Sequence, residues 1–223
     1  MDMGAPPMTG KDSPQYLAAA DFIRKNLRLQ PVPSVPEIML YAAHSGSGLG
    51  RLTRLDGAVS TAPYWAYHWA GGAVLARHIL SHPQTVSDRH VLDLGSGSGL
   101  VAIAAANAGA AHVTAIDIDI HAIAAIDLNA ATNGTKIETL QADILDASPP
   151  ACDVIVAGDV FYDAKLARRV LPFFARCRAA GIDVLIGDPG RTPLPRERLR
   201  LVTTYAVADF GAAMENVCGV YSL

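Results

Sequence analysis

The run Val91-Leu92-Asp93-Leu94-Gly95-Ser96-Gly97-Ser98-Gly99 passes from an apolar, strand-like segment through three alternating glycines into the helix-forming sequence that starts at Leu100. Glycine is needed where a backbone turns sharply or is approached closely by a ligand. A helix beginning at Leu100 presents free N–H groups and a positive dipole end to an anion. Strand, glycine turn and helix together predict one unit of a doubly wound α/β sheet with a ligand seated on the turn.

The downstream sequence repeats the unit. Val113–Ile116, Ile137–Gln141, Val154–Ala157 and Val184–Gly187 are short apolar strands, and helical stretches end near Ala108, Thr132 and Ala180. Such alternation predicts a parallel sheet covered on both faces. The ending breaks the rhythm: Leu201–Ala208 and Met214–Tyr221 are separated by the five residues Asp209–Ala213, too few for a crossover helix. These two strands are expected to pair antiparallel. The predicted fold is a doubly wound, mostly parallel, seven-stranded Rossmann-like sheet with an antiparallel C-terminal hairpin.

Upstream, residues 1–12 read as a flexible tail. Ser13 can cap a helix reaching about Leu29, with Pro14 in its first turn and Pro31–Pro36 ending it. Ile38–Ala43 and Arg51–Leu55 read as strands around a Gly/Ser turn, and the aromatic segment Pro63–Trp69 leads to a helix from Gly72 to Leu80. The expected organisation is one domain over 13–223, with a helical and strand extension at 13–82 and a ligand-binding core at 83–223.

A chain of 223 residues that is 51 % hydrophobic buries one substantial core. Its net charge of −3 gives no electrostatic footprint for nucleic acid. Cys152, Cys177 and Cys218 lack metal-ligand spacing, so neither a metal nor a disulfide framework is expected. With no secretory pattern and no apolar run long enough to span a bilayer, the expectation is a cytoplasmic protein without membrane association, and a monomer.

Gly97-x-Gly99-x-x-Ala102, with Asp117 downstream, also satisfies the nicotinamide-dinucleotide fingerprint. Charge separates the candidates. A pyrophosphate would find Asp93 a poor neighbour, whereas S-adenosylmethionine brings a cationic amine for Asp93 and a carboxylate for the helix N-terminus. Gly95, Ser96, Gly97 and Gly99 would line that seat; Asp93 can alternatively hold the turn through its own hydrogen bonds. Asp117 and Asp143 end the next two strands on the same edge, where open α/β sheets bind ligands. Asp117 suits both ribose hydroxyls and Asp143 an adenine amino group, with Ile118, Ile144 and Leu145 around the base.

Pro63-Tyr64-Trp65-Ala66-Tyr67-His68-Trp69 holds both tryptophans. It reads either as a hydrophobic plug or as a wall beside a cationic site, since sulfonium and ammonium are both attracted to aromatic faces. Gly158-Asp159-Val160-Phe161-Tyr162-Asp163 follows the fourth strand on the ligand-bearing edge, where a carboxylate and a phenol can flank a transferred methyl. Tyr64, Trp65 and Phe161 are the further candidate substrate contacts.

Pro63-Tyr64-Trp65-Ala66…Trp69-Ala70-Gly71-Gly72, Leu92–Gly99 and Asp159-Val160-Phe161-Tyr162 together resemble the seven-β-strand, class I protein lysine methyltransferases. Among these they are most similar to the electron-transfer-flavoprotein β-subunit lysine methyltransferases and their bacterial relatives, from about Pro36 to the C-terminus. The resemblance implies that Trp69, Gly95, Gly97, Asp117, Leu145 and Gly158 contact S-adenosylmethionine. It also implies that Asp159 and Tyr162 lie at the substrate lysine, that the product is S-adenosylhomocysteine, and that the partner is the flavoprotein β subunit. Ala70 departs from the proline that the family usually carries there. A methyltransferase for a small amine or a ribosomal protein, a nicotinamide-dependent oxidoreductase and a noncatalytic binding domain are the alternatives.

Overall fold

The computed structural model describes residues 10–51, 62–211 and 214–223. Helix α1 (Pro14–Asn26) and the hairpin β1 (Arg28–Val32) and β2 (Val35–Ala42) come first, followed by α2 (Ala70–Ser81). The alternating region is β3 (His90–Leu94), α3 (Leu100–Asn107), β4 (His112–Asp117), α4 (Ile120–Thr132), β5 (Glu138–Gln141), β6 (Val154–Gly158), α5 (Ala164–Ala179) and β7 (Asp183–Asp188). Strands β8 (Arg200–Ala208) and β9 (Glu215–Ser222) close the chain.

The seven-stranded sheet has the order β5-β4-β3-β6-β7-β9-β8. Strands β3 to β7 pair parallel, while β9 runs antiparallel to both β7 and β8. The chain winds outward from β3 through β5, then returns to β6 on the other side. That reversal between β3 and β6 leaves a crevice outside their carboxyl ends, the usual ligand position of open α/β sheets.

Strand periodicity sorts the core into two layers. Val91, Val154 and Val156 pack with Leu75, Ile79, Val101 and Ile103 under α2 and α3. Their neighbours Leu92, Leu94, Ile155 and Ala157 point the other way, against Phe161, Phe173 and Phe174 beside α5. This is the period-two alternation of a sheet covered on both faces. It also aims Asp93, one residue past Leu92, at the α3 layer.

The N-terminal region differs from expectation. Helix α1 stops at Asn26 rather than near Leu29, because Arg28–Val32 joins an antiparallel hairpin with β2. Pro31 is tolerated because β1 is an edge strand of a two-stranded ribbon. The partner of β2 is therefore β1, not Arg51–Leu55; Arg51 lies in a 3₁₀ turn, and 52–55 fall outside the described residues. On its other edge β2 donates from Met39 N and Tyr41 N to the side-chain oxygens of Asn133, the residue after α4, and Asn129 of α4, at 2.9 and 2.8 Å. Of the expected tail, residues 10–12 form a 3₁₀ turn, with Lys11 paired to Asp127 at 2.9 Å; residues 1–9 fall outside the described residues.

Candidate active site

Gly95, Gly97 and Gly99 all adopt positive φ, at 66°, 56° and 84°. Side-chain-bearing residues would be strained at each, so the glycine spacing is a backbone requirement. A Cβ on Gly99 would also meet Ile126 of α4 at 3.3 Å. The turn is pinned to β4: Gly95 N and Ser96 N donate to Ile116 O, and Gly97 N donates to Asp117 Oδ2 at 2.9 Å.

Asp93 lies beneath the turn, 1 % exposed. Its Oδ2 accepts from Ser96 Oγ at 2.5 Å and from Ala102 N, in the first turn of α3, at 3.1 Å. It thus holds the turn and caps the helix. Burial pushes its carboxyl up to about 7, against the pull of the Ser96 and Ala102 hydrogen bonds. Asp117 is likewise raised by burial, while the N–H groups of Asp119 and Gly97 favour its charge. Ile118 stands beside it, strongly exposed.

Asp143 belongs to a different setting. Arg169 of α5 grips it through two nitrogens at 2.8 and 3.1 Å and also reaches Asp146. The Arg169 hydrogen bond holds its carboxyl below the usual range. An adenine amino group would share that carboxylate with a guanidinium. Leu145 is buried behind it, with Ile144 half-buried.

Across the crevice, Asp159 follows β6 with φ 58°, a left-handed conformation rare outside glycine. Its N–H donates to Gly187 O at 3.0 Å, and two side-chain interactions hold it there. Its Oδ2 accepts from Gly72 N at 2.7 Å, and its Oδ1 pairs with Arg191 Nη1. Helix α2 has no side-chain cap of its own from Trp69; Asp159 serves Gly72 N and Asp209 Oδ1 serves Ala70 N at 3.1 Å. Burial pushes the Asp159 carboxyl up to about 6, against the guanidinium of Arg191.

The double glycine makes this approach feasible. A Cβ on Gly71 would lie 2.6 Å from Asp159 Oδ2 and would collide with Gly187 O. A Cβ on Gly158 would meet Gly72 Cα at 2.7 Å. Gly71, Gly158 and Gly187 therefore let α2 dock on β6 and β7, which accounts for Gly71 by packing; a Cβ on Gly72 would meet Leu100 and Val101 only at 3.9 Å, ordinary contact.

The aromatic residues split into two groups. Tyr64 and Tyr162 are about half exposed, with ring centroids 5.3 Å apart, and Trp69 stands edge-on to Tyr64 at 5.9 Å while its Nε1 donates to Tyr64 O. Trp65 and Phe161 are corrected from substrate contacts to core residues. Trp65 is buried among residues of α1 and α4, stacked on His121 at 6.0 Å, and Phe161 is fully buried against Phe174.

Sequence reasoning missed Arg191, Asp188 and Phe210. Asp188 ends β7 as Asp117 ends β4, so the rule of acids at strand ends would have found it. Phe210, in the loop after β8, packs on Tyr67 at 4.2 Å and extends the aromatic face; the length of the hairpin connector carries no sign of that contact. Among the described residues no group of His, Cys, Asp and Glu could hold a metal ion, and no helix is long and apolar enough to cross a membrane.

Comparison with known proteins agrees with the fold. The family model for ribosomal protein L11 methyltransferase (PrmA) matches residues 78–160. A putative RNA methyltransferase from Pyrococcus horikoshii has the same fold, with a TM-score of 0.54 at 15 % identity over 74 % of this chain and 88 % of that one. The electron transfer flavoprotein beta subunit lysine methyltransferase of Rattus norvegicus is 46 % identical over 131 residues, 58 % of this chain and 51 % of the rat protein. The chain thus spans about half the length of that relative, and 62 % of its Xenopus laevis counterpart, also 46 % identical. The Caenorhabditis elegans homologue is 30 % identical over 197 residues, covering 81 % of this chain and 80 % of the nematode protein. With a likeness that extends over most of both chains, this protein belongs to the electron transfer flavoprotein beta subunit lysine methyltransferase family.

Proposed function

We propose that the chain transfers methyl groups from S-adenosylmethionine to lysine side chains of the electron transfer flavoprotein β subunit. The observation that carries this reading is the placement of Asp159: a carboxylate held in left-handed backbone just after β6, three residues before the exposed Tyr162, on the same sheet edge as the glycine turn. Family membership supports both the donor and the acceptor.

The residues at the turn fit the cofactor by their chemistry. Asp117 offers a carboxylate to ribose hydroxyls and exposed Ile118 an apolar surface to the base, while Asp93, buried beneath the turn with its carboxyl raised to about 7, disfavours a pyrophosphate there whenever it is ionised. When bound, the cofactor supplies an electrophilic methyl on a sulfonium. Asp159 binds and aims the incoming lysine, and Tyr162, Tyr64 and Trp69 narrow its approach. A lysine with its ordinary pKa near 10.4 needs roughly 4 kcal/mol to lose its proton near neutrality. A carboxylate favours the ammonium, so Asp159 acts in binding and orientation, and the proton leaves to water before transfer.

Incubation with methyl-labelled cofactor and purified flavoprotein β subunit, followed by peptide mass spectrometry, tests the proposal. Methylated lysine in the β subunit is the expected result; its absence with active cofactor binding would overturn the acceptor assignment. The family-model match over residues 78–160 supports a second reading, methylation of a ribosomal protein. Ribosomal protein L11 belongs in the same assay as the competing acceptor.

A further inference from the structure

Two carboxylates share one guanidinium where β6, β7 and the loop after β7 converge. Arg191 Nη1 is bonded to Asp159 Oδ1 and stands 3.8 Å from Asp188 Oδ2. Asp188 is fully buried. Its Oδ1 accepts from the backbone N–H groups of Gly190 and Arg191 at 2.6 and 2.7 Å, whereas its Oδ2 has no hydrogen-bond partner. Leaving a buried carboxylate oxygen in that condition is unfavourable, because its lost hydration is not replaced.

We propose that Arg191 is a movable counter-cation that holds Asp159 until the acceptor's ammonium arrives and then passes to Asp188 Oδ2, leaving Asp159 Oδ1 to the acceptor. The inference rests on the reading of Asp159 as the lysine-binding carboxylate. Charge favours the exchange: two carboxylates with one cation become two with two, and neither cation is left without a partner. Distance favours it as well. Closing 3.8 Å to hydrogen-bond length needs about 1 Å of motion at Nη1, within the reach of side-chain torsions. The backbone of Arg191 stays tethered to Asp188 Oδ1 throughout. The guanidinium is not walled in, its side chain being 24 % exposed. Asp209, the third acid nearby, is already engaged by Ala70 N and Phe210 N.

Arg191 is thereby a positioning residue that selects for charge. An uncharged acceptor has no means of displacing a guanidinium from a carboxylate, whereas an ammonium does.

The test is titration of the whole protein with n-butylammonium, a lysine side-chain analogue, followed through the guanidinium NMR signal of Arg191 assigned by its loss in Arg191→Lys. A saturable shift with n-butylammonium and none with n-butanol is expected. Asp188→Asn keeps the Oδ1 acceptor but removes the receiving oxygen, and should weaken n-butylammonium about tenfold. Arg191→Met removes the competitor and should tighten it about tenfold, with the KM for a lysine acceptor moving the same way; Arg191→Gln replaces it if the Met variant does not fold. No binding, binding with the Arg191 signal unmoved, or equal weakening in both variants overturns the proposal. Apart from the KM, these readouts need no turnover, so a flavoprotein that is not methylated would sink the functional reading while the binding result stood by itself.

Discussion

Replacing Asp159 by alanine and by asparagine separates what the residue does for the fold from what it does for the acceptor. Alanine loses three things: a residue type suited to φ 58°, the acceptor for Gly72 N and the partner of Arg191. A left-handed alanine costs about 1 kcal/mol. A lost helix cap costs about 1 kcal/mol more. The broken ion pair adds about 1–3 kcal/mol, below the fully buried figure because Arg191 is partly exposed. Asparagine tolerates left-handed backbone and keeps an oxygen for Gly72 N, losing only the charge. Arg191 then has Asp188 Oδ2 only 3.8 Å away, so this variant should lose about 1–2 kcal/mol. At about 2–4 °C per kcal/mol for a chain of this size, the Tm should fall by about 6–20 °C for Asp159→Ala and about 2–8 °C for Asp159→Asn. Scanning calorimetry reads that difference.

Methyl transfer should fall at least about a hundredfold in both variants, with cofactor affinity within about threefold of wild type by titration calorimetry. Equal losses of Tm would refute the division of roles drawn from the left-handed backbone and the Gly72 cap. Cofactor binding lost as severely as turnover would show that Asp159 belongs to the cofactor side.

Asp117→Ala should weaken the cofactor first, by about tenfold or more, since it removes a charged acceptor and frees Gly97 N; unchanged affinity in titration calorimetry would undo the ribose assignment. Gly71→Ala should cost about 1–3 kcal/mol in a thermal melt and impair turnover, because its Cβ meets Asp159 Oδ2 at 2.6 Å and neither Asp159 nor Gly187 can yield easily. A melt unchanged from wild type would contradict the tight docking of α2. Burial raises the Asp93 carboxyl to about 7, so the folded state holds a proton that the unfolded chain has released above about 4. Stability associated with neutral Asp93 is therefore present at low pH and lost as pH rises through about 7. Melts of Asp93→Asn, which mimics the neutral form, should gain on wild type between pH 5 and pH 8; a constant gap would argue against the raised pKa.

The alternating core was legible because its strands are short, apolar and separated by helices with clear stops. The antiparallel ending followed from a connector too short for a crossover. The β1 strand was not legible: Pro31 argues against a strand, and only the edge position created by β2 and the asparagines at the end of α4 makes it acceptable. In the site, Asp93, Asp117, Asp143 and Asp159 follow from one rule, an acid at the carboxyl end of a parallel strand. What each carboxylate touches was not written in that rule. The ion pair of Asp143 with Arg169 joins residues 26 apart and that of Asp159 with Arg191 residues 32 apart, contacts set by how α5 and the post-β7 loop fold back. Trp65 and Tyr64 are adjacent in sequence yet face opposite sides of a 3₁₀ turn, a distinction that composition does not carry.

The two halves of the carboxyl edge differ in what can change. At the glycine turn, Asp93 on β3 and Asp117 on β4 accept from backbone N–H groups of α3 and of the turn, so the candidate cofactor seat is tied directly to the sheet. On the acceptor side, Asp159 depends on α2, on Arg191 from the loop after β7, and on the neighbouring Asp209 cap from the loop after β8. Loops can be altered without disturbing strand register, whereas the turn cannot accept a side chain at any of its three glycines. A change of acceptor is therefore expected to map to residues 189–195 and to Asp209–Phe210. Asp159 itself is constrained by both demands, since the oxygen that caps α2 and the oxygen offered to a cation belong to one carboxylate. Repositioning that carboxylate for a new acceptor would uncap the helix that covers the sheet, so variation should spare Asp159 and fall on the cation that neutralises it.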